Sequence, residues 1–257
     1  MMTGRRVVLV GGHESRQGRC LPLTEGSGEL RVCGAGRDLH AAVRAGGPVV
    51  AVPMTLGRDP DLPRLAAQTL RWASRDRPPG EVLLAEPLGT VRHLVGWIRG
   101  VLARALRGAP PDRAALLVAP AAGPEPDAEL FKVARLVWQH APVRRVEVAL
   151  LGGEPDVDEG VDRCLRLGAD GVVLVPASFV PAPQRPGVRT AGPLLGPAAL
   201  AALIRARAAE AELRWERHGD DGTAATGHGH HHDHADRRRD PPVPAATNLK
   251  GAASHVR

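Results

Sequence analysis

Short apolar runs that alternate with segments of helical periodicity are the feature that most constrains the fold of this chain. Most of the runs are apolar at every position, as expected for parallel strands buried on both faces of a sheet. Because parallel strands need a crossover between them, the alternation predicts a doubly wound α/β fold. The predicted strands are residues 7–11, 30–33, 49–53, 81–85, 114–119, 145–151 and 171–176.

The segments between the runs have the spacing of amphipathic helices. Apolar residues recur at i, i+3, i+4, i+7 and i+8, which places them on one helical face. The three clearest sets are Leu62, Leu65, Ala66, Thr69 and Leu70; Leu130, Val133, Ala134, Val137 and Trp138; and, with nearly this spacing, Val91, Leu94, Val95, Ile98 and Leu102.

Two stretches of the chain, 52–72 and 118–138, resemble each other at an offset of 66 residues. Such a match arises either from internal duplication or from a pattern that any two strand–helix units share, and the sequence leaves both open. In either case we expect two Rossmann-like halves with parallel sheets. The predicted boundaries are 1–108 for the first half and 109–213 for the second.

Aromatic side chains are scarce, which argues against a surface that stacks on nucleic-acid bases. The 257 residues include two phenylalanines, four tryptophans and no tyrosine. A hydrophobic fraction of 43% is nevertheless enough for a buried core. We therefore expect a globular protein with no nucleic-acid partner.

Arginine supplies nearly all of the positive charge in a chain whose formal net charge is +6. Lys132 and Lys250 are the only lysines. Guanidinium groups bind carboxylates and phosphates through paired hydrogen bonds, so an acidic small molecule is a natural partner. The alternative for any single arginine is an ordinary solvated surface position.

Cysteine usage and hydropathy predict a cytoplasmic protein with no membrane partner. Cys20, Cys33 and Cys164 are odd in number and widely spaced, so they indicate neither a disulfide framework nor a cysteine metal site. The apolar run after Arg5 and Arg6 is too short for a signal peptide. No run approaches the roughly 18 apolar residues that a membrane-spanning helix needs.

The chain becomes polar after Leu213, and this composition predicts a disordered tail over residues 214–257. Within it lies the string GHGHHHDHAD, whose imidazoles would bind Co²⁺, Ni²⁺, Cu²⁺ or Zn²⁺ at high local density. An expression tag is the alternative. The candidate metal-binding residues of the tail are His228, His230, His231, His232 and His234.

A histidine follows the first predicted strand in the string VVLVGGHESRQG, residues 7–18. Loops at the carboxyl ends of parallel strands carry the chemistry of many α/β proteins. His13, with Glu14 beside it, is therefore a candidate functional residue. The alternative is a loop histidine that only hydrogen-bonds to nearby backbone.

The string CGAGRDLHAAV places Gly34 and Gly36 between a predicted strand and a predicted helix. A dinucleotide-binding turn would have a third glycine where Leu39 stands, so this motif is weak. We expect no nucleotide cofactor.

The string VVLVGGHESRQG resembles the first strand and H-G-S-R turn of the CbiX-type sirohydrochlorin chelatases, which insert cobalt or iron into a tetrapyrrole. The resemblance covers roughly residues 5 to 180, and its most specific part is RCLRLGADGVVLVP at 163–176. It implies a class II chelatase-like fold, in which two Rossmann-like halves face each other across a cleft. It also implies that His13 is the metal ligand and catalytic base.

The chain departs from this family after the third strand. Family members usually carry a second metal-binding histidine in a G-H-x-x-x-D-I-P-like phrase, and Arg58 stands at that position here. Arginine cannot ligate a metal or take up a proton. The resemblance therefore implies that His13 and Glu14 hold the metal, while Arg16 and Arg58 bind the carboxylates of a sirohydrochlorin-like ring.

Two functions follow from these observations. The first is a sirohydrochlorin chelatase that inserts Co²⁺, or alternatively Fe²⁺ or Ni²⁺, with cobalt favoured because the histidine-rich segment suits its supply. The second is a non-catalytic protein on the same fold that binds cobalt, nickel or a tetrapyrrole. His13 and the length of the resemblance favour the first, and Arg58 favours the second. The sequence does not determine the metal, the ring or the oligomeric state.

Overall fold

Two four-stranded parallel sheets with the same topology form the framework of the computed structural model, which describes residues 4–23, 30–108, 110 and 112–224. In the first sheet, β1 (Arg6–Gly11), β2 (Leu30–Gly34), β3 (Val49–Met54) and β4 (Val82–Leu84) lie in the order β2-β1-β3-β4. In the second, β5 (Arg113–Pro120), β6 (Arg145–Leu151), β7 (Gly171–Pro176) and β8 (Arg189–Thr190) lie in the order β6-β5-β7-β8.

Six helices connect and cover these strands in the described part of the chain. They are α1 (Arg37–Arg44), α2 (Asp61–Ala73), α3 (Val91–Ala105), α4 (Pro124–Trp138), α5 (Val157–Arg166) and α6 (Pro197–His218). The predicted α/β class and all of the predicted strands are confirmed. The two-residue strand β8 had no sequence signal, because two residues are too few to show a period.

The apolar strands are explained by burial on both faces. In β1, Val8 and Val10 pack in the core beneath α1 and α2, whereas Leu9 faces a central core. That central core also contains Leu117 of β5 and Val175 of β7, so the inner faces of both sheets contribute to it. The edge strand β6 is the exception, because Arg145 and Glu147 alternate there with the buried Val146 and Val148.

One helix from each half packs against the other half. Helix α3 follows the first sheet in the chain but contacts β7 and α4, whereas α6 follows the second sheet and contacts β3 and β4. The predicted boundary near residue 108 lies between the two sheets but does not separate the helices that cover them.

The predicted internal duplication at an offset of 66 residues is not supported by the topology. Residues 52–72 contain the end of β3 and α2, and residues 118–138 contain the end of β5 and α4. The strand order matches β3 with β7 and β5 with β1. The similarity is thus the pattern that strand–helix units share.

The predicted start of the tail at residue 214 is wrong for residues 214–224. Helix α6 continues to His218, and the Arg214 guanidinium donates a hydrogen bond to the carbonyl of Leu84. The ring of Trp215 lies against Gly80, and the Leu84 N–H donates to the carbonyl of Asp221 at 2.8 Å. Composition alone missed this segment because its contacts are made by one tryptophan and by backbone groups.

The five histidines of the predicted tail lie outside the described residues. Within the described residues, no helix combines the length and the apolarity that crossing a bilayer requires.

Truncation after Leu213 should destabilise the protein relative to truncation after Ala224. The shorter chain loses the Trp215 ring and the Arg214 hydrogen bond, a loss of about 3 kcal/mol by analogy with buried tryptophan truncations. At about 2–4 °C per kcal/mol, the melting temperature should fall by roughly 6–12 °C. Circular dichroism melts of both variants measure this, and equal melting temperatures would contradict the packing role of residues 214–224.

Candidate functional site

The turn after β1 and the loop after β3 lie side by side at one edge of the first sheet. Strands β1 and β3 are paired in parallel, and Gly11 of β1 is opposite Met54 of β3. A single 3₁₀ turn, His13–Ser15, follows Gly12 directly. The segment 55–59 leaves β3 at the same level, so the two loops meet at the carboxyl ends of their strands.

His13 is held by a carboxylate that the sequence had not identified as functional. Its ring Nδ1 lies 3.0 Å from Oδ2 of Asp59, and its backbone N–H donates to the same oxygen at 3.3 Å. The other oxygen, Oδ1, accepts from the N–H of Leu62 at 3.1 Å in the first turn of α2. Asp59 is therefore fixed from two sides, and it fixes the imidazole ring in turn.

This contact requires glycine at position 12. A Cβ atom on Gly12 would lie 2.1 Å from Oδ2 of Asp59, which is far below any normal contact. The carboxylate can approach the backbone of the turn only because residue 12 has no side chain. The double glycine before His13 is the sequence signal of this close approach.

Asp59 is a carboxylate in the native protein. Burial alone would raise its pKa, but the hydrogen bond and the electrostatic attraction of His13 outweigh burial, with the backbone N–H groups of Leu62 and His13 assisting. The net effect lowers the pKa of Asp59 below its ordinary value. Because a carboxylate only accepts, Nδ1 of His13 must carry the proton that lies between them.

The second ring nitrogen of His13 is left without a partner. Nε2 is buried and makes no hydrogen bond to any of the described residues. The side chain as a whole is 22% exposed. An oriented imidazole whose Nε2 lone pair is free is the form in which histidine ligates a metal or takes up a proton.

Glu14 is completely buried and bound on one side. Its Oε2 accepts from the Thr55 hydroxyl and, at 2.9 Å, from the N–H of Leu56. The Thr55 oxygen in turn accepts from the N–H groups of Gly57 at 3.0 Å and Asp59 at 3.3 Å. Thr55 thus connects the carboxylate of Glu14 to the backbone of Asp59, while Oε1 of Glu14 has no partner among the described residues.

Burial raises the pKa of the Glu14 carboxyl group. The hydrogen bonds from Thr55 and Leu56 and the attraction of Arg58 and His13 oppose this effect without cancelling it. Glu14 therefore binds a proton more readily than an exposed glutamate does.

Arg58 crosses from the first half to the second. Its side chain is completely buried, and both Nε and Nη2 lie 3.2 Å from the carbonyl oxygen of Pro126. Nη2 is also 3.5 Å from Oδ1 of Asp127. Asp127 accepts at the same time from the N–H groups of Ala122 at 3.1 Å and Gly123 at 3.3 Å. The guanidinium is thus bound to the start of α4.

A backbone contact strengthens this junction between the halves. The N–H of Phe179, after β7, donates to the carbonyl of Glu14 at 3.0 Å.

Burial lowers the pKa of Arg58, and the carboxylates of Glu14, Asp127 and Asp59 oppose that effect. Nη1 of Arg58 is buried and lacks a hydrogen-bond partner among the described residues.

The structure brings three of the sequence-predicted site residues together and leaves others apart. His13, Glu14 and Arg58 lie at the junction, and each has one unpartnered buried polar atom. Arg16 is exposed and lies at the end of the 3₁₀ turn. Its backbone has a left-handed conformation, with φ of 48°. No group of three or more His, Cys, Asp or Glu side chains suited to a metal ion occurs in the described part of the chain.

Replacing Arg58 with methionine should destabilise the fold by about 3 kcal/mol, because it removes one member of a buried charge network. The exposed Arg64→Met change on α2 is the matched control and should shift stability by less than about 0.5 kcal/mol. Urea unfolding of both variants measures the difference. Similar midpoints for the two variants would show that Arg58 does not join the halves energetically.

Comparison with known proteins finds sequence similarity over part of the chain. Residues 121–182 match the sequence model of the CbiX family. The chain is 41% identical over 70 residues to the sirohydrochlorin cobaltochelatase of Priestia megaterium, which is 26% of this chain and 23% of that relative. The match therefore spans less than a quarter of the curated relative's length. Residues 121–182, which match the family model, include Pro126 and Asp127, which contact Arg58, and Phe179, which contacts Glu14.

Solved structures of low sequence identity resemble the chain as well. A multi-domain protein of Deinococcus radiodurans, described as structurally similar to chelatases, gives a TM-score of 0.49 at 21% identity, over 80% of this chain and 55% of that one. SirB from Bacillus subtilis with Fe³⁺ gives 0.49 at 15% identity, over 84% of this chain and 99% of that one. The sequence similarity to the CbiX family is thus confined to residues 121–182, and the similarity to the cobaltochelatase to a segment of 70 residues.

Proposed function

We propose that this protein is a metal chelatase that inserts a divalent ion into a tetrapyrrole of the sirohydrochlorin type. The observation that carries the proposal is the His13–Asp59 pair, which presents an unpartnered Nε2 beside the segment that matches CbiX. The name of the curated relative, a sirohydrochlorin cobaltochelatase, supports the substrate class.

In this proposal His13 receives the metal ion through Nε2. Asp59 keeps the proton on Nδ1 and fixes the orientation of the ring, as carboxylates behind metal-binding histidines do. Oε1 of Glu14, which is unpartnered, is the second protein donor. With only two protein donors, several coordination positions stay open for the ring nitrogens that must replace them.

Metallation also releases protons, because pyrrole N–H bonds break as metal–nitrogen bonds form. His13 can accept one proton once the metal has left Nε2. Glu14, whose pKa burial raises, is a second acceptor next to it. The same two residues therefore serve first as ligands and then as bases.

Arg58 gives this site a fixed positive charge at the position where a second histidine would ligate the metal. A fixed positive charge near His13 and Glu14 disfavours a resident divalent cation, so the ion is held weakly and transferred readily. The unpartnered Nη1 of Arg58 remains as a donor for a ring carboxylate. Exposed Arg16 supplies another cation at the end of the turn that carries His13. Each charge-assisted hydrogen bond would contribute about 1.5–3 kcal/mol.

Cobalt is the first metal to test, since a nitrogen and an oxygen donor suit Co²⁺, Fe²⁺ and Ni²⁺ alike and the curated relative is a cobaltochelatase. We also propose a cytoplasmic location, because Cys20, Cys33 and Cys164 are free thiols, as in a reducing compartment. The histidine-rich segment would supply metal to the site.

His13→Ala should abolish metal insertion while leaving the fold intact. Anaerobic incubation of the protein with sirohydrochlorin and Co²⁺, Fe²⁺ or Ni²⁺, followed by absorbance, measures insertion above the spontaneous rate. His140→Ala, at an exposed position after α4, is the control and should match the wild type.

Two outcomes would count against the chelatase. Insertion at the wild-type rate by the His13→Ala variant would remove the histidine from the mechanism. If the wild-type protein binds sirohydrochlorin or metal without inserting any of the three ions, the non-catalytic binding protein is the better description.

Asp59→Asn should lower the insertion rate about 10- to 100-fold with little loss of stability. The asparagine carbonyl can still accept from Leu62, but its amide would donate to Nδ1 and shift the ring proton of His13 to Nε2. Asp61→Asn, a nearby exposed carboxylate, should leave the rate unchanged. Equal rates for both variants would mean that Asp59 does not orient the imidazole.

A further inference from the structure

A cavity of about 480 Å³ lies between α1 and α2, outside the site described above. It is within the size range of small-molecule pockets. Its lining consists of Gly36, Arg37, His40, Gln68, Thr69 and Trp72. Helices α1 and α2 contact each other below it and cover the outer face of the first sheet.

Trp72 is an unusually exposed aromatic side chain. It is 63% exposed, the largest fraction among the exposed large apolar side chains of the described residues. The ring of His40 lies 5.7 Å from the indole at an interplanar angle of 48°, and the Arg75 guanidinium carbon lies 5.9 Å from its centroid. An indole that is held by neighbours but left open to solvent is a stacking surface for a planar ring.

Three polar side chains around the indole are free of polar contacts with the other described residues. Arg37, Gln68 and Thr69 make no side-chain hydrogen bond or ion pair with the described residues, whereas neighbouring Arg64 and Arg44 are paired with Asp61 and Asp76. No carboxylate lines the cavity. The pocket therefore offers a cation and several donors without a built-in anion.

The backbone at the mouth of the cavity is open. Gly36 has φ of 103°, and a Cβ atom placed on it would meet nothing within 4 Å. No side chain caps the first turn of α1. A ligand could thus approach the backbone closely on the side where Arg37 lies.

We propose that this cavity binds a planar aromatic anion of the nucleoside monophosphate class. The base stacks on Trp72, the phosphate is bound by Arg37 and His40, and Gln68 and Thr69 bond to the polar edge of the base or sugar. The incomplete glycine motif predicted no nucleotide cofactor. The cavity is a different arrangement, in which the indole and the polar side chains of two helices supply the recognition.

Calorimetric titration of the full-length protein with adenosine 5′-monophosphate, adenosine and inorganic phosphate tests the proposal. The monophosphate should bind saturably, and adenosine and phosphate should each bind at least about tenfold more weakly, because each retains only one of the two contacts. Trp72→Ala should weaken monophosphate binding by about tenfold or more. Arg37→Met should bring it close to the affinity for adenosine.

Leu65→Ala is the matched control, because Leu65 is a second exposed apolar residue on α2, 51% exposed, and does not line the cavity. It should bind the monophosphate as the wild type does, and circular dichroism should show all variants folded. The proposal is overturned if the wild type shows no saturable binding at millimolar monophosphate. It is also overturned if Trp72→Ala binds as well as Leu65→Ala.

Discussion

The buried guanidinium of Arg58 is the interaction on which the junction between the halves depends. Enclosing a charge of this kind costs several kcal/mol unless hydrogen bonds and opposite charges surround it. The carbonyl of Pro126 and the carboxylate of Asp127 provide that compensation from the second half. Separating the halves would remove these two partners from the guanidinium. The position of α4 relative to the loop after β3 is thus set by electrostatics as well as by apolar packing.

The same junction relates the site to the family similarity. The CbiX match lies in residues 121–182, in the second half, whereas His13 and Glu14 lie in the first. Pro126 and Phe179, both within the matched segment, contact Arg58 in the loop after β3 and Glu14 in the turn after β1. The matched segment is thus in direct contact with both loops of the candidate site.

The sequence predicted those parts of the molecule that depend on local pattern. Fully apolar runs identified the strands, the position after the first strand pointed to His13 and Glu14, and only the family resemblance pointed to Arg58. Asp59 was missed because its role depends on β1 and β3 being neighbours, and strand order has no local signature. The end of α6 was missed for a similar reason, since Trp215 finds its contact on Gly80, far away in the chain. Distant partners decided each of these cases.

The exchange of α3 and α6 between the halves has a consequence for how the chain is made. Strands β3 and β4 obtain the helix that covers them, α6, only from residues 197–218. During synthesis the first sheet can form its pairs early, yet its inner face must wait, uncovered, for a helix near the end of the described chain. A ribosome-bound first half would therefore expose apolar surface and depend on chaperones or on rapid completion of the chain. The halves look like two domains in their strands, but they have to fold as one.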